Sequence, residues 1–510
     1  MRFAFDLWSY EDVSANAAAI LAKVSAGAMP CDGAWSSERA ELFRRWIDTG
    51  MRETVSDLVP EAAGPAESSG AAAAGVEAIE GRLRRVLDLR SEQYVRERAI
   101  VIEHRSALIY MLSEAAELEH ALMCEYLFAA FSLKRSVDEG LTHEQLAAVE
   151  RWRSTILGVA KQEMLHLAIA CNLLTSVGIG PHLSRPNLPQ PARHYPSGVR
   201  LELRPFSEQA LRHFLFLERP EGMDLNDADG LAAIEHAVPV MGEEEIAPHL
   251  QEFRTVGHLY RSIEAGFRHL AEKMGEETLF LGPVGSQTRG ELFGWKELGP
   301  ISGTDEAVRA IEAIVEMGEG ARGDWRNAHF GRFLSVLNEY LQLRQNAPGL
   351  EVTRPVLPVL VRPPETGAEV TLITDPATAR VADLCNVTYE VLLHVLYRLM
   401  SHIDESAEQI GTLATVAVGI MNDVIGPLAD ILSTMPVGPE HPGCTAGATF
   451  ELFYQPDYLL PHRKAAWLVG AELLTGAATS AEIEMRRDRR LEPVASALRS
   501  YARALRENAS

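Results

Sequence analysis

The chain has 510 residues, of which 47% are hydrophobic, and a formal net charge of −23. This length exceeds that of one compact bundle, so we expect a main domain with appended segments. A charge this negative argues against nucleic acid and against an anionic membrane surface, because both require a basic face. We therefore expect a small-molecule substrate, and we leave open a homodimer.

Five cysteines are widely scattered along the chain and are odd in number, which favours reduced thiols over a disulfide framework: Cys31, Cys124, Cys171, Cys385 and Cys444. The chain opens with no basic segment followed by an apolar one, and it has no run of about 20 apolar residues that could cross a bilayer. These features predict a soluble, cytoplasmic protein.

The N-terminal part is predicted to hold a small module and a linker. Residues 1–56 form a small helical module, since an amphipathic stretch from Glu11 to Val24 precedes a second helix capped by Ser37. Residues 57–104 begin with an Ala-, Gly- and Ser-rich linker and continue as a charged helix.

The first bundle helix is predicted over Leu112 to Leu133. Its apolar side includes Glu119, and Tyr126 lies seven residues further on, two turns away on the same face. A carboxylate and a phenol therefore share a core stripe, and Tyr126 is our candidate catalytic residue. It could hydrogen-bond a ligating carboxylate, donate an electron or only pack.

A second helix over Ile156 to Leu174 places Glu163 and His166 in phase with its apolar face. Burying such polar groups without partners costs about 2–7 kcal/mol each. Glu-x-x-His is also the spacing by which adjacent turns offer an oxygen and a nitrogen to a dimetal centre. The pair therefore predicts a metal site, and the alternative is a surface glutamate beside a histidine that is satisfied in the core.

The segments Leu118–Leu127, Glu163–His166 and Asn172–Leu174 resemble the ferritin-like domain of the iminophenyl-pyruvate dimer synthases. Those enzymes act in bisindole pigment biosynthesis, and the domain also occurs in stand-alone proteins. The resemblance implies a metal-binding helical bundle and covers roughly residues 105–345.

A third bundle helix is predicted over Gln251 to Lys273. The family pattern at its start is matched by Val256–Tyr260, and the resemblance implies His258 as a metal ligand, with Glu264 in reserve. The alternative is that His258 only borders the buried face.

The fourth predicted helix and the residues after it also match the family, over Ala310–Gly320 and Ala328–Phe333. Glu316 and Glu319 repeat the three-residue spacing of a ligand pair, and His329 is placed to fold back over the helix end. With the resemblance, Glu316, Glu319 and His329 are candidate ligands. Without it, the glutamates read as a solvent-facing acidic stripe.

Residues 346–510 are predicted to form an extended connection and helices that pack on the bundle. Within the helical stretch Asp383 to Ile431, Glu390 and His394 are a rival pair of ligands. Alternatively they belong to a polar seam against the bundle or line a substrate pocket.

The predicted fold is mainly α: a ferritin-like four-helix bundle with long irregular insertions, a small N-terminal helical module and a C-terminal helical extension. A carboxylate-rich ligand set without thiolate suits two iron ions, with manganese as the alternative. Dioxygen or peroxide would be the co-substrate.

Three functions follow from this set of features. The first is a non-haem dimetal oxidase or oxygenase that acts on a small amino-acid-derived substrate in specialised metabolism. The second is an imine-coupling enzyme like the iminophenyl-pyruvate dimer synthases. The third is a non-catalytic iron-binding ferritin-like protein.

Overall fold

The structure is a computed structural model. It describes residues 98–190, 200–221, 223, 225, 253–318, 325–364, 370–453 and 462–509, with short helical pieces within 17–24 and 43–47. The chain divides into two compact units, Met1–Arg82 and Leu83–Ser510. Only the short helical pieces of the first unit are described, and the site lies in the second.

The second unit is mainly helical, which confirms the predicted fold class. Its α-helices are α1 (Arg105–Ser132), α2 (His143–Ser176), α3 (Glu208–Leu217), α4 (Val256–Met274), α5 (Glu276–Leu279), α6 (Thr304–Gly318), α7 (His329–Asn346), α8 (Pro376–Met400), α9 (Ala407–Gly419), α10 (Gly426–Leu432), α11 (Arg463–Glu484) and α12 (Glu492–Glu507).

Short elements connect these helices. The π-helical segment Ile420–Ile425 joins α9 to α10, and two short strands, β1 (Val359–Leu360) and β2 (Thr371–Leu372), pair in parallel. Single 3₁₀ turns span Val137–Glu139, Val284–Ser286, Gly290–Leu292, Trp325–Asn327 and Arg489–Leu491.

Helices α1 and α2 form the centre of the bundle and pack along each other. A capping box between Thr142 and Gln145 starts α2, and Gly178, with φ +92°, follows its end. Helix α4 packs on α1 and on α6, while α7 packs on α2 and α3. Four helices, α3, α4, α6 and α7, therefore lie around α1 and α2, whose buried faces carry Glu119, Glu163 and His166.

Among the C-terminal helices, α11 packs on both α8 and α12, and α8 also contacts α2. The continuous helical stretch Ala407–Leu432 is long and apolar enough, by length and composition, to cross a membrane, contrary to the expectation that no such run exists. Half of its most apolar window is buried within the fold. A core helix passes the same test, so this stretch is weak evidence for a membrane span.

Candidate metal centre

Five buried side chains from four helices meet inside the bundle. Glu119 comes from α1, Glu163 and His166 come from α2, Glu218 directly follows α3, and His329 is the first residue of α7. None of them is more than 4% exposed. Together they offer three carboxylates and two imidazoles in a region closed to bulk water.

The first group of donors is formed by Glu119, Glu163 and His166, whose candidate ligand atoms lie within 4.8 Å of one another. His166 Nδ1 is 2.9 Å from Glu163 Oε2 and 3.5 Å from Glu119 Oε2. Tyr260 donates its hydroxyl to Glu119 Oε1 at 2.6 Å. The outer carboxylate of this group is thus held by a phenol from α4.

The second group is formed by Glu163, Glu218 and His329, again within 4.8 Å. His329 Nδ1 is 2.8 Å from Glu163 Oε1 and 3.4 Å from Glu218 Oε2. Tyr126 donates its hydroxyl to Glu218 Oε1 at 2.5 Å. The outer carboxylate of this group is held by a phenol from α1.

Glu163 belongs to both groups, because each of its oxygens faces a different imidazole. The rings of His166 and His329 stack, with centroids 5.4 Å apart. A carboxylate between two such groups is placed to bridge two metal ions, as in ferritin-like dimetal proteins.

Several buried polar atoms of this centre lack hydrogen-bond partners, and this bears on whether a metal fits there. His166 Nε2 and His329 Nε2 are buried without a hydrogen-bond partner, and Glu163 Oε1 and His329 Nδ1 meet only each other, at 2.8 Å and without hydrogen-bond geometry. Buried polar atoms in native proteins are nearly always satisfied, so the cluster lacks a partner that a cation would supply. Oxygen donors with imidazole and without thiolate suit iron or manganese. The residues present therefore fit a dimetal group.

The charges within the cluster are strongly coupled. Burial acts to raise the pKa of Glu163, but the imidazoles of His329 and His166 hold that pKa well below its usual range. Burial opposes protonation of the imidazoles, yet Glu163 raises the pKa of His166 to about 10 and that of His329 to about 9. Metal binding at these nitrogens therefore has to displace protons.

The outer carboxylates behave differently from Glu163. Burial and the charge of Glu163 raise the pKa of Glu119 to about 8 and also raise that of Glu218. Burial raises the pKa of Tyr126 and of Tyr260 well above the usual range. Both tyrosines consequently remain phenols and donate to the carboxylates.

A small cavity, with room for about one water molecule, opens beside the cluster. It is bordered by Glu119, Glu163, His166, Glu218 and Tyr260, and its remaining lining is Leu122, Val256, Gly257, Ile314, Val315 and Gly318. The described part of α6 contributes only aliphatic residues and glycine to this lining. This side of the centre therefore offers space and no further donor from those residues.

Glu316 was predicted as a ligand, but the structure places it elsewhere. It is exposed on α6, because this helix buries the face that carries Ile311 and Ile314. The solvent-facing alternative describes it correctly. Glu319 lies outside the described residues.

His258 was also predicted as a ligand, and it too is absent from both groups. Its ring is buried, but Nε2 bonds the backbone carbonyl oxygen of Arg98 at 2.9 Å. The reserve candidate, Glu264, forms a salt bridge with Arg268 one turn away, with Nη2 and Oε1 3.0 Å apart. Helix α4 thus contributes Tyr260 in place of the predicted ligand.

The rival pair Glu390 and His394 belongs to neither group in the described part of the chain. Glu390 accepts a hydrogen bond from the backbone of Phe453. One turn earlier, Asn386 donates to Glu451 at 3.1 Å and accepts from Thr449 at 2.8 Å. Asn386 and Glu390 therefore form polar contacts that hold the 449–453 segment on α8.

Sequence reasoning missed Glu218 and Tyr260. Glu218 follows the short helix α3, where no periodic pattern extends to it. Tyr260 lies two residues after His258 in the same family pattern, and its position on the buried face of α4 was a usable signal.

The site and bundle together define a ferritin-like domain. A family model described as "Ferritin-like" matches residues 112–338, which run from α1 into α7 and include every residue of the cluster. This match and the helical architecture confirm the predicted ferritin-like fold.

Two curated relatives extend the comparison beyond this domain. The chain is 27% identical over 395 residues to the dichlorochromopyrrolate synthase of Lentzea aerocolonigenes, covering 70% of this chain and 37% of that protein. It is 25% identical over 378 residues to the 2-imino-3-(indol-3-yl)propanoate dimerase of Chromobacterium violaceum, covering 68% and 34% respectively. Both matches bear out the family resemblance found in the sequence. The matched part spans about a third of each relative's length.

Among solved structures, a ferritin-like protein from Caulobacter vibrioides matches with a TM-score of 0.38 and 17% identity. The match covers 62% of this chain and 95% of that one.

Proposed function

We propose that this chain is a non-haem dimetal oxidase or oxygenase that acts on a small amino-acid-derived substrate in specialised metabolism. The observation that carries the proposal is the position of Glu163, whose two oxygens face His166 and His329 at 2.9 and 2.8 Å. A buried carboxylate whose two oxygens face different imidazoles is placed to bind two metal ions.

The roles of the residues follow from the two groups. Glu119 and His166 would hold one ion, Glu218 and His329 the other, and Glu163 would bridge them. Bound iron or manganese would supply redox chemistry with dioxygen or peroxide. The two tyrosines orient the outer carboxylates, and the aliphatic wall of the cavity excludes bulk water.

Charge balance leaves a place for one further anion. Two divalent ions carry four positive charges, and the carboxylates of Glu119, Glu163 and Glu218 would balance three of them. A hydroxide, or the carboxylate of an amino-acid-derived molecule, would balance the remaining charge. The cavity beside the cluster has the size of a small co-substrate, which suits dioxygen or peroxide.

A second candidate, imine coupling, is favoured by the relatives' names, since one of them is a dimerase of 2-imino-3-(indol-3-yl)propanoate. On that reading the same centre would join two imino acids instead of oxygenating one. The match spans only part of each relative, so their activities enter here as a proposal.

Oxygen uptake by the Fe(II)-loaded chain tests the proposal. Candidate imino acids, including 2-imino-3-(indol-3-yl)propanoate freshly made from tryptophan by an amino-acid oxidase, are added at once after that oxidase has been removed. We expect substrate-dependent uptake that is lost in Glu163→Gln and kept in Glu316→Gln, whose exposed side chain makes it the matched control. The mass of the product separates oxygenation from coupling. Iron-loaded protein that consumes no oxygen with any substrate of the panel would contradict the proposal.

A further inference from the structure

The cavity beside the metal centre touches both groups of donors. Members of the first group, of the second group and the carboxylate they share all border it: Glu119, His166, Glu218 and Glu163. The imidazole of His166, whose Nε2 is buried without a hydrogen-bond partner, is therefore part of this wall. A ligand in the cavity lies beside the donors of both ions.

Two valines are the outermost residues of the cavity wall. Among the described lining residues, only Val256 at the start of α4 and Val315 on α6 are half-buried, and all the others are buried. Helices α4 and α6 pack against each other. The described lining therefore meets the solvent at these two side chains, between the two helices.

Gly318 leaves room in the cavity on the side of Glu218. It is the last residue of α6, and a Cβ there would lie 3.7 Å from Glu218 Oε2, which is an ordinary van der Waals distance. Alanine would thus fit, but its methyl group would occupy space beside a candidate ligand. Since the cavity has room for about one water molecule, one methyl group fills much of it.

The wall away from the donors selects a ligand by size. Its side chains are aliphatic and offer no hydrogen bond, namely Leu122, Val256, Ile314 and Val315. A space for about one water molecule admits the end of a di- or triatomic ligand. It excludes an amino-acid-derived molecule, because the carboxylate of such a molecule carries a carbon chain.

We propose that small ligands reach the two ions between α4 and α6, past Val256 and Val315, and that Gly318 keeps open the space they occupy. This inference rests on the dimetal centre proposed above. The ligand is a di- or triatomic oxidant or anion, such as dioxygen, peroxide or hydroxide. The amino-acid-derived substrate does not enter this space, so hydroxide supplies the further negative charge at the centre.

Azide titration of the Co(II)-loaded chain, followed by the visible spectrum, tests the role of Gly318. Azide is a triatomic rod that enters end-on. We expect Gly318→Ala to bind azide at least about tenfold more weakly than the unmodified chain, because the added methyl group overlaps the ligand. Gly158→Ala, on α2, is the control, since a Cβ there has no heavy atom within 4 Å. Equal azide affinity in the two variants would overturn the proposal.

Imidazole, a flat ring, tests the size limit set by the valines. The unmodified Co(II)-loaded chain should not bind it, and Val315→Ala, which removes methyl groups from the wall, should. Val308→Ala is the matched control, because it makes the same change two turns earlier on α6 at a residue outside the cavity lining. Val256→Ala repeats the test from α4 if Val315→Ala does not fold. Imidazole binding by the unmodified chain, or by neither folded variant, would contradict the size limit and overturn the proposal.

The number of bound ions separates this inference from the dimetal proposal. A chain that takes up no Co(II) would overturn both. A chain that takes up about two ions, and whose variants bind azide and imidazole as the unmodified chain does, would overturn only the access route between α4 and α6.

Discussion

Tyr126 and Tyr260 have matching roles at the metal centre, because each donates its hydroxyl to one of the two outer carboxylates. Tyr260 lies 2.6 Å from Glu119 Oε1, and Tyr126 lies 2.5 Å from Glu218 Oε1. They come from different helices, α4 and α1. The two halves of the centre are therefore supported in the same way.

We predict that Tyr260→Phe and Tyr126→Phe each weaken metal binding by about 10–100-fold, because each leaves a ligating carboxylate without its orienting donor. Titration of the metal-free chain with Co(II), followed by its visible spectrum, measures the affinities.

The control for this pair is Tyr110→Phe. Tyr110 is also on α1 and donates to a carboxylate, Glu114 Oε1 at 2.8 Å, but neither residue belongs to the metal groups. Its Co(II) affinity should equal that of the unmodified chain. Equal affinities in all three variants would show that the phenols only pack.

The two half-sites should be separable by mutation. Glu119→Gln and Glu218→Gln each keep the size of the side chain and remove one outer carboxylate, so each should leave about one ion per chain. Native mass spectrometry counts the ions. If either variant loses both ions while remaining folded, the halves are not independent.

Gly331 allows the turn that positions His329. A Cβ at 331 would overlap the backbone carbonyl oxygens of Trp325 and Arg326, in the 3₁₀ turn just before α7. Gly331→Ala should therefore cost about 1–3 kcal/mol of unfolding free energy and reduce the metal content.

Gly158→Ala is the matched control, since a Cβ there has no heavy atom within 4 Å. It lies within helix α2, where alanine is the better helix former by up to about 1 kcal/mol. Thermal unfolding should show a lower Tm for Gly331→Ala and an unchanged or higher Tm for Gly158→Ala. The reverse order would contradict this account of the turn.

Glu114 makes part of the stability depend on pH. Burial, opposed in part by the hydroxyl of Tyr110, raises the pKa of Glu114 from 4.5 to about 7. The folded state thus holds this proton more tightly than the unfolded chain. The stabilisation is complete below pH 4.5 and is lost as the pH rises through about 7.

Glu114→Gln has no proton to lose and keeps an acceptor for Tyr110. Between pH 4.5 and about 7, the unmodified chain should lose up to about 3 kcal/mol of unfolding free energy relative to the variant. Urea unfolding of both proteins measures this difference. Parallel pH profiles would show that Glu114 is not protonated in the fold.

The helical periodicity of the sequence predicted three of the five residues of the metal cluster, because those three lie on long amphipathic helices. Glu163 and His166 share the buried face of α2, and Glu119 lies in phase on α1. The same logic failed for Glu218, which follows a helix end where the chain direction is set by tertiary packing. For Glu316 the residue pattern alone indicated a solvent-facing stripe, and the family resemblance implied a ligand; the structure exposes this side chain on α6.

The metal content of the purified chain after incubation with Fe(II) tests the central claim most directly. Since Glu163 belongs to both groups, the account predicts about two ions per chain, nearly none in Glu163→Gln, and an unchanged number in Glu316→Gln. No bound metal in the unmodified chain, or a full complement in folded Glu163→Gln, would contradict a dimetal centre bridged by Glu163.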